Sequence, residues 1–142
     1  MISEFKGDYS WLSNFAPVKI TLLGIEYPSV EHAYMSAKSD DIEWKKFCAD
    51  VNNSAGKVKV KSREVKLVDN WETTKMGVMY YCLEQKFKQE PYMFRLKATK
   101  SQNIQEGNYF SDAFWGIDLK QNPNIGENNL GRMIMRIREG LK

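Results

Sequence analysis

The chain has 142 residues, is 42% hydrophobic and 27% charged, and carries a net charge of +3. That length suits one domain with a real core, and the mild charge permits an anionic ligand while excluding a histone-like binder of nucleic acid. Two cysteines, Cys48 and Cys82, with no Cys-x-x-Cys between them exclude a disulfide scaffold and read as buried and reduced.

In chain order, Met1–Phe15 lacks the basic-then-apolar layout of a signal peptide, and no apolar run reaches the roughly 18 residues of a membrane span. A cytoplasmic chain is the expectation. Val18–Leu23 is apolar and β-branched, and Leu23-Gly24 marks a turn before Ile25-Glu26-Tyr27, so a short hairpin is predicted. Pro28-Ser29 should end it, with Ser29 capping a helix that runs to about Ser39 and holds Glu31 and His32 in its first turn. Asp41–Val51 reads as a second helix with Ile42, Phe47, Cys48 and Val51 on its apolar side. The alternation from Lys57 to Lys61 suggests an exposed strand or an extended basic arm. Thr73–Lys88 has the clearest helical period, through Met76, Met79, Tyr80, Leu83 and Phe87. Pro91–Thr99 makes a short helix and Asn103–Gly116 a polar, aromatic loop. Leu130–Leu141 is an amphipathic helix with Asn128 or Asn129 at its cap. The predicted fold is α+β: a single, mainly helical domain over residues 1–142 with a small N-terminal β-hairpin.

His32 is the only histidine, so neither a common zinc site nor a Ser-His-Asp triad is expected. No phosphate-binding glycine loop is present. Glu31 and Lys38 are seven residues apart, about two helical turns or roughly 10 Å. A carboxylate and an amine then share one face with Tyr34 and Met35 between them, a span that suits a sugar-sized group. The same spacing suits a plain solvated face. Trp11 and Phe15 offer rings for stacking, with Ser13 and Asn14 beside them for hydrogen bonds, and core packing accounts for the rings equally well. Glu106–Gly116 places acidic residues beside Trp115 in a loop. Gly126–Gly131 opens the last helix, where free N–H groups suit a phosphate or simply a cap.

Several of these segments occur in one order: Trp11-Leu-Ser-Asn-Phe15, Tyr27-Pro-Ser-Val-Glu-His-Ala-Tyr-Met-Ser-Ala-Lys38, Trp71 with Lys75-Met76, Lys86-Phe87, Asp112-Ala-Phe-Trp-Gly116, and Gly126–Gly131 with Met135 and Arg138. The series resembles the NADAR family, the YbiA-like N-glycosidases, over nearly the whole chain. The resemblance implies an α+β fold of the family's own. It also implies cleavage of an N-glycosidic bond, either in a ribosylated pyrimidine intermediate of riboflavin synthesis or between ADP-ribose and guanine in nucleic acid. Ala33 and Ser36 depart from the family pattern, which leaves the substrate open.

On that resemblance Glu31, Lys38 and Asp112 are the candidate catalytic residues. Lys38 would be a nucleophile that forms an imine, for which its pKa must fall through burial or a neighbouring cation, or a group that contacts C1 while water attacks. Glu31 would be the acid/base or an orienter, and Asp112 a second carboxylate that handles water. Trp11, Ser13, Asn14, Phe15, His32, Tyr34, Trp71, Trp115, Gly116 and Asn129 are the candidate substrate contacts. No metal and no cofactor are expected. The partner is a ribosyl or ADP-ribosyl substrate, free or on nucleic acid. One rival reading is a non-catalytic module that binds ADP-ribose or NAD; another is a nucleic-acid binder using Lys57–Lys66, with steep salt dependence.

Overall fold

A computed structural model describes all 142 residues. The chain forms two compact units, Asn14–Lys86 on one hand and Met1–Ser13 with Phe87–Lys142 on the other.

The Asn14–Lys86 unit begins with the hairpin. Strand β1, Pro17–Leu22, pairs antiparallel with β2, Ile25–Ser29, in the register Ile20 to Tyr27 and Leu22 to Ile25. Leu23 and Gly24 both have positive φ, the tight turn whose twist matches the strands. Pro28-Ser29 does not stop β2. Ser29 still pairs with Pro17, across an irregularity in β1 that absorbs the prolines. On the open edge, the Gln85 side chain takes the N–H of Thr21 at 2.9 Å and donates to its carbonyl at 2.7 Å, which satisfies an exposed rung of the ladder.

Ser29 caps α1, Val30–Ser36, by accepting the His32 N–H at 3.2 Å. Every residue of α1 is buried, so it is not a solvated face. It ends at Ser36 rather than near Ser39, because Lys38 bonds back to Met35 and gives its carbonyl to the Val68 N–H at 2.8 Å. Helix α2, Ile42–Ala49, is capped by Asp41. Its inward residues are Trp44 and Cys48, one turn apart, while Ile42 and Val51 are exposed at 53% and 78%. The expected apolar side holds at Cys48 but not at Ile42 and Val51: Trp44 sets the inner face by its volume and by its indole N–H to the Met35 carbonyl at 2.9 Å, Ile42 lies two positions from it, and Val51 lies past the helix end.

The basic run is not extended. Ala55–Lys61 is a helix, α3, capped by the Ser54 hydroxyl on the Lys57 N–H and followed by a 3-10 turn over Ser62–Glu64. Ala55, Val58 and Ser62 are buried at helical spacing, whereas Val60 is exposed. Two valines are too few to separate a period of two from one of 3.6, and the cap decides. Helix α4, Trp71–Phe87, buries Trp71, Met79, Cys82, Leu83 and Lys86. Met79, Leu83 and Phe87 of the expected stripe are in the core, Met76 is 37% exposed, and the inner face widens toward Cys82 and Lys86. Burial pushes both thiols, Cys48 and Cys82, up to about 12, in keeping with inert core cysteines. It pushes the Lys86 ammonium down to about 7.

In the Met1–Ser13 and Phe87–Lys142 unit, a 3-10 segment covers Gly7–Leu12, α5 covers Tyr92–Ala98 and α6 covers Asn129–Gly140. Two short parallel strands, β3 at Gly107–Asn108 and β4 at Ile117–Asp118, bracket the aromatic loop. Ile2, Leu12, Leu96, Ile104, Leu130, Ile134 and Ile137 form the apolar interior. Arg138 is buried with them; its Nη1 donates to the Thr99 hydroxyl at 2.9 Å and the Gln102 carbonyl at 2.8 Å, while its Nε is buried without a partner. The chain has no helix long and apolar enough to cross a membrane.

Candidate active site

In the Asn14–Lys86 unit, α1 and the residues just after it gather most of the expected site. The Glu31 N–H, in the first turn, is taken by the Asn14 carbonyl at 3.0 Å. This fixes the Asn14 side chain beside the helix start. Its Nδ2 reaches Met79 Sδ at 3.6 Å, and its Oδ1 is buried without a hydrogen-bond partner. A buried acceptor left unpaired costs on the order of 1–3 kcal/mol. The rings of Tyr34 and Trp71 lie 5.2 Å apart and tilted, and both residues are buried. Phe15 is different: its ring is 46% exposed, with Lys59 Nζ 6.0 Å above it.

Lys38 follows α1 and is half-buried. Burial pushes its ammonium below the ordinary lysine value; the Glu31 charge opposes this, and the cations Lys59, Arg63 and Lys75 add to the lowering. Lys38 Nζ donates to Ser62 Oγ at 3.4 Å. Lys75 is itself paired with Glu72 at 2.6 Å. An amine in this setting loses its proton more readily than an exposed one, and the neutral amine is the nucleophilic form. Of these neighbours, Ser62 carried no sequence signal. Lys59 and Arg63 lay in the basic run but take their places only because that run is helical. Lys75 lies one helical turn after Trp71.

His32 is held on both sides of its ring. Nε2 lies 2.7 Å from the Asn53 carbonyl, and Nδ1 lies 2.6 Å from Ser29 Oγ. A carbonyl only accepts, so Nε2 carries a proton, and Ser29 donates to Nδ1 in the neutral ring. The imidazole ties α1 to the turn before α3. The two departures from the family pattern are interior as well. Ala33 is fully buried, and the Ser36 hydroxyl donates to the Ala33 carbonyl at 2.6 Å while hydrogen-bonding Tyr27.

In the other unit, the loop after β3 and the start of α6 bring Asp112, Trp115, Gly116 and Asn129 together. Asp112 Oδ1 accepts the N–H groups of Phe114 and Trp115 at 3.0 and 2.9 Å. Asn108 clasps the same loop through the Asp112 N–H and carbonyl. Asn129 Nδ2 donates to the Phe114 carbonyl at 2.9 Å. The N–H groups of Asn128, Asn129 and Leu130 go to the carbonyls of Gly116, Phe114 and Trp115, so this helix start spends them inside the fold rather than on a phosphate. Trp115 meets Phe114 edge to face at 4.9 Å. Trp11, on the 3-10 segment, is buried; Ser13 is the residue that closes that segment.

At Gly116 a methyl group would run into the Glu106 backbone carbonyl and carboxylate. Gly116→Ala is therefore expected to destabilise the fold by about 1–3 kcal/mol through overpacking. A thermal melt with no loss relative to wild type would contradict this.

Comparison with known proteins identifies the family and the fold. The profile of the NADAR domain matches residues 3–142. A riboflavin biosynthesis protein of Vibrio vulnificus is 32% identical over 95% of the chain, and the chain spans 36% of that protein's length. The N-glycosidase YbiA of Escherichia coli is 31% identical over 94% of the chain, which spans 82% of it. The solution structure of the E. coli protein YbiA superposes with a TM-score of 0.80 at 30% identity, covering 99% of this chain and 86% of that one.

Proposed function

Because the chain belongs to the NADAR domain family, we propose that it is an N-glycosidase that cleaves the bond between a ribosyl C1 and a base nitrogen, with the Lys38 amine as nucleophile. The observation that carries this reading is the setting of Lys38: half-buried, near the Glu31 carboxylate, and pushed toward the neutral amine by burial and by three cations.

The Lys38 lone pair attacks C1, and the bond from C1 to the base breaks with its electron pair going to the base nitrogen. Glu31, as a carboxylate, takes a proton from the new ammonium and passes it to this nitrogen. The lone pair of the resulting glycosylamine nitrogen then forms an imine as the bond from C1 to the ring oxygen breaks, the remaining N–H proton passing to that oxygen. Water adds to C1 and expels the amine, releasing the sugar and restoring Lys38. Asn14 Oδ1, buried and unpaired, would accept a hydroxyl of the ribose. Tyr34 and Trp71 would pack against the ligand, and Phe15 would offer its exposed face. His32 holds α1 and needs no ligand contact. Asp112 holds the Phe114–Trp115 turn, and no step is assigned to it.

Two substrate classes fit. A ribosylated pyrimidine of riboflavin synthesis is supported by relatives that are named riboflavin biosynthesis proteins. ADP-ribosylated guanine in nucleic acid is supported by the family resemblance and by the basic α3. A turnover panel of a ribosylaminopyrimidine, ADP-ribosyl-guanine DNA and NAD is expected to show cleavage of at least one N-glycosidic bond. Tight calorimetric binding of ADP-ribose with no cleavage in any arm would instead establish a binding module.

A further inference from the structure

The Lys38 side chain has four rotatable bonds, yet its tip has one hydrogen bond in the chain, to Ser62 Oγ at 3.4 Å. Its backbone is pinned first: the N–H goes to the Met35 carbonyl at 3.2 Å and the carbonyl to the Val68 N–H at 2.8 Å. Ser62 is pinned more tightly still. It is 4% exposed, its N–H bonds back to α3, and its hydroxyl proton goes to the Lys59 carbonyl at 2.6 Å. A hydroxyl has one proton and two lone pairs. With the proton spent on Lys59, Ser62 meets Lys38 only as an acceptor, whether that amine is charged or neutral. An amine that donates one N–H to a fixed acceptor has its lone pair aimed away from that acceptor.

From this geometry we infer that Ser62 is a positioning residue, holding the tip of Lys38 so that its lone pair faces the substrate rather than the wall of α3. The inference rests on the nucleophile reading of Lys38. It also explains the placement of the basic run: α3 and the 3-10 turn after it carry Lys59 and Arg63 on either side of the serine that receives Lys38, so one continuous stretch both aims the amine and sets the positive field around it.

The test uses the full chain as wild type, Ser62→Ala, Ser62→Thr and Lys38→Ala. One readout is turnover of the cleaved substrate from the panel. The other is reductive labelling with ribose 5-phosphate and cyanoborohydride, resolved by peptide mass spectrometry. In the labelling, the Lys38 amine adds to the open-chain aldehyde, water leaves, and hydride from cyanoborohydride reduces the imine. Ser62→Ala is expected to lower kcat by about tenfold, since small misplacements of a reacting group are costly, with KM within about twofold. Loss of an acceptor for the charged amine also favours the neutral form, so the pH at which Lys38 labelling reaches half its plateau moves down. Ser62→Thr, which keeps the hydroxyl, should restore both. A Ser62→Ala protein that melts lower but keeps the wild-type labelling midpoint and kcat would show that Ser62 only closes α3, and would overturn the inference. Full turnover in Lys38→Ala would overturn the nucleophile reading, and the labelling midpoint would still report on Ser62. Should Ser62→Thr fail to fold, the midpoint in Ser62→Ala decides alone.

Discussion

Lys38→Ala should abolish turnover, lowering kcat by at least about a thousandfold, while the melting temperature stays close to that of wild type. Activity falls because no other amine near Glu31 is placed to attack: Lys59 lies over Phe15, and Lys75 is paired with Glu72. Stability survives because the lost group is a half-buried cation: its removal ends a desolvation cost and the repulsion from Lys59, Arg63 and Lys75, which offset the lost attraction to Glu31. Lys38→Arg separates charge from nucleophilicity. It keeps a cation but has no accessible neutral form, so it should be as inactive as the alanine variant. Near-normal turnover in either variant would sink the nucleophile role. The sign of the pH dependence follows from the same group. The active form lacks the proton, so the rate of the lysine step rises with pH through a limb. Burial, with help from the three cations, lowers that limb below the ordinary lysine value of 10.5. A limb at or above 10.5 in wild type would mean that the amine is not activated by its site.

The hairpin, the Ser29 cap and the helix over Thr73–Lys88 were legible in the sequence because each rests on local chemistry: a turn that tolerates positive φ, a hydroxyl at a helix start, and a long repeat of apolar residues. The errors come where distant contacts override local pattern. Lys57–Lys61 alternates like a strand, but Ser54 caps it and Val58 buries, so it is α3. Ile42 and Val51 look like core, but Trp44 fills the inner side of α2 and leaves them exposed. The end of α1 depends on Val68, thirty residues on, taking the Lys38 carbonyl. For the site, Glu31, Lys38 and Asn14 carried enough pattern to be named. Ser62 did not, because an isolated serine has no meaning until the fold carries a lysine to it. His32 shows the converse: its chemistry suggests a ligand contact, yet both ring nitrogens serve the interior.

Glu31→Gln is the second large effect. The side chain keeps its shape and its place in the first turn of α1, with the backbone N–H still on Asn14. The lost interaction between the carboxylate and the helix start is worth about 0.3–1 kcal/mol, so the protein remains folded. Two roles of Glu31 are then separable by pH. As a charge, the carboxylate favours protonated Lys38, so its removal should move the Lys38 labelling midpoint further down and leave more neutral amine at a given pH. As an acid/base, it delivers the proton to the departing base nitrogen, a contribution of about 10²–10⁴ in rate that no shift of the amine can replace. The expected result combines the two: a lower labelling midpoint together with a kcat that stays depressed by that factor even above the limb, with KM little changed. If turnover instead recovers fully at high pH, Glu31 acts only through the field at Lys38, and the leaving base must draw its proton from water. The sign of the midpoint shift thus tests whether Glu31 and Lys38 share one electrostatic site, and the plateau tests whether the carboxylate takes part in breaking the bond.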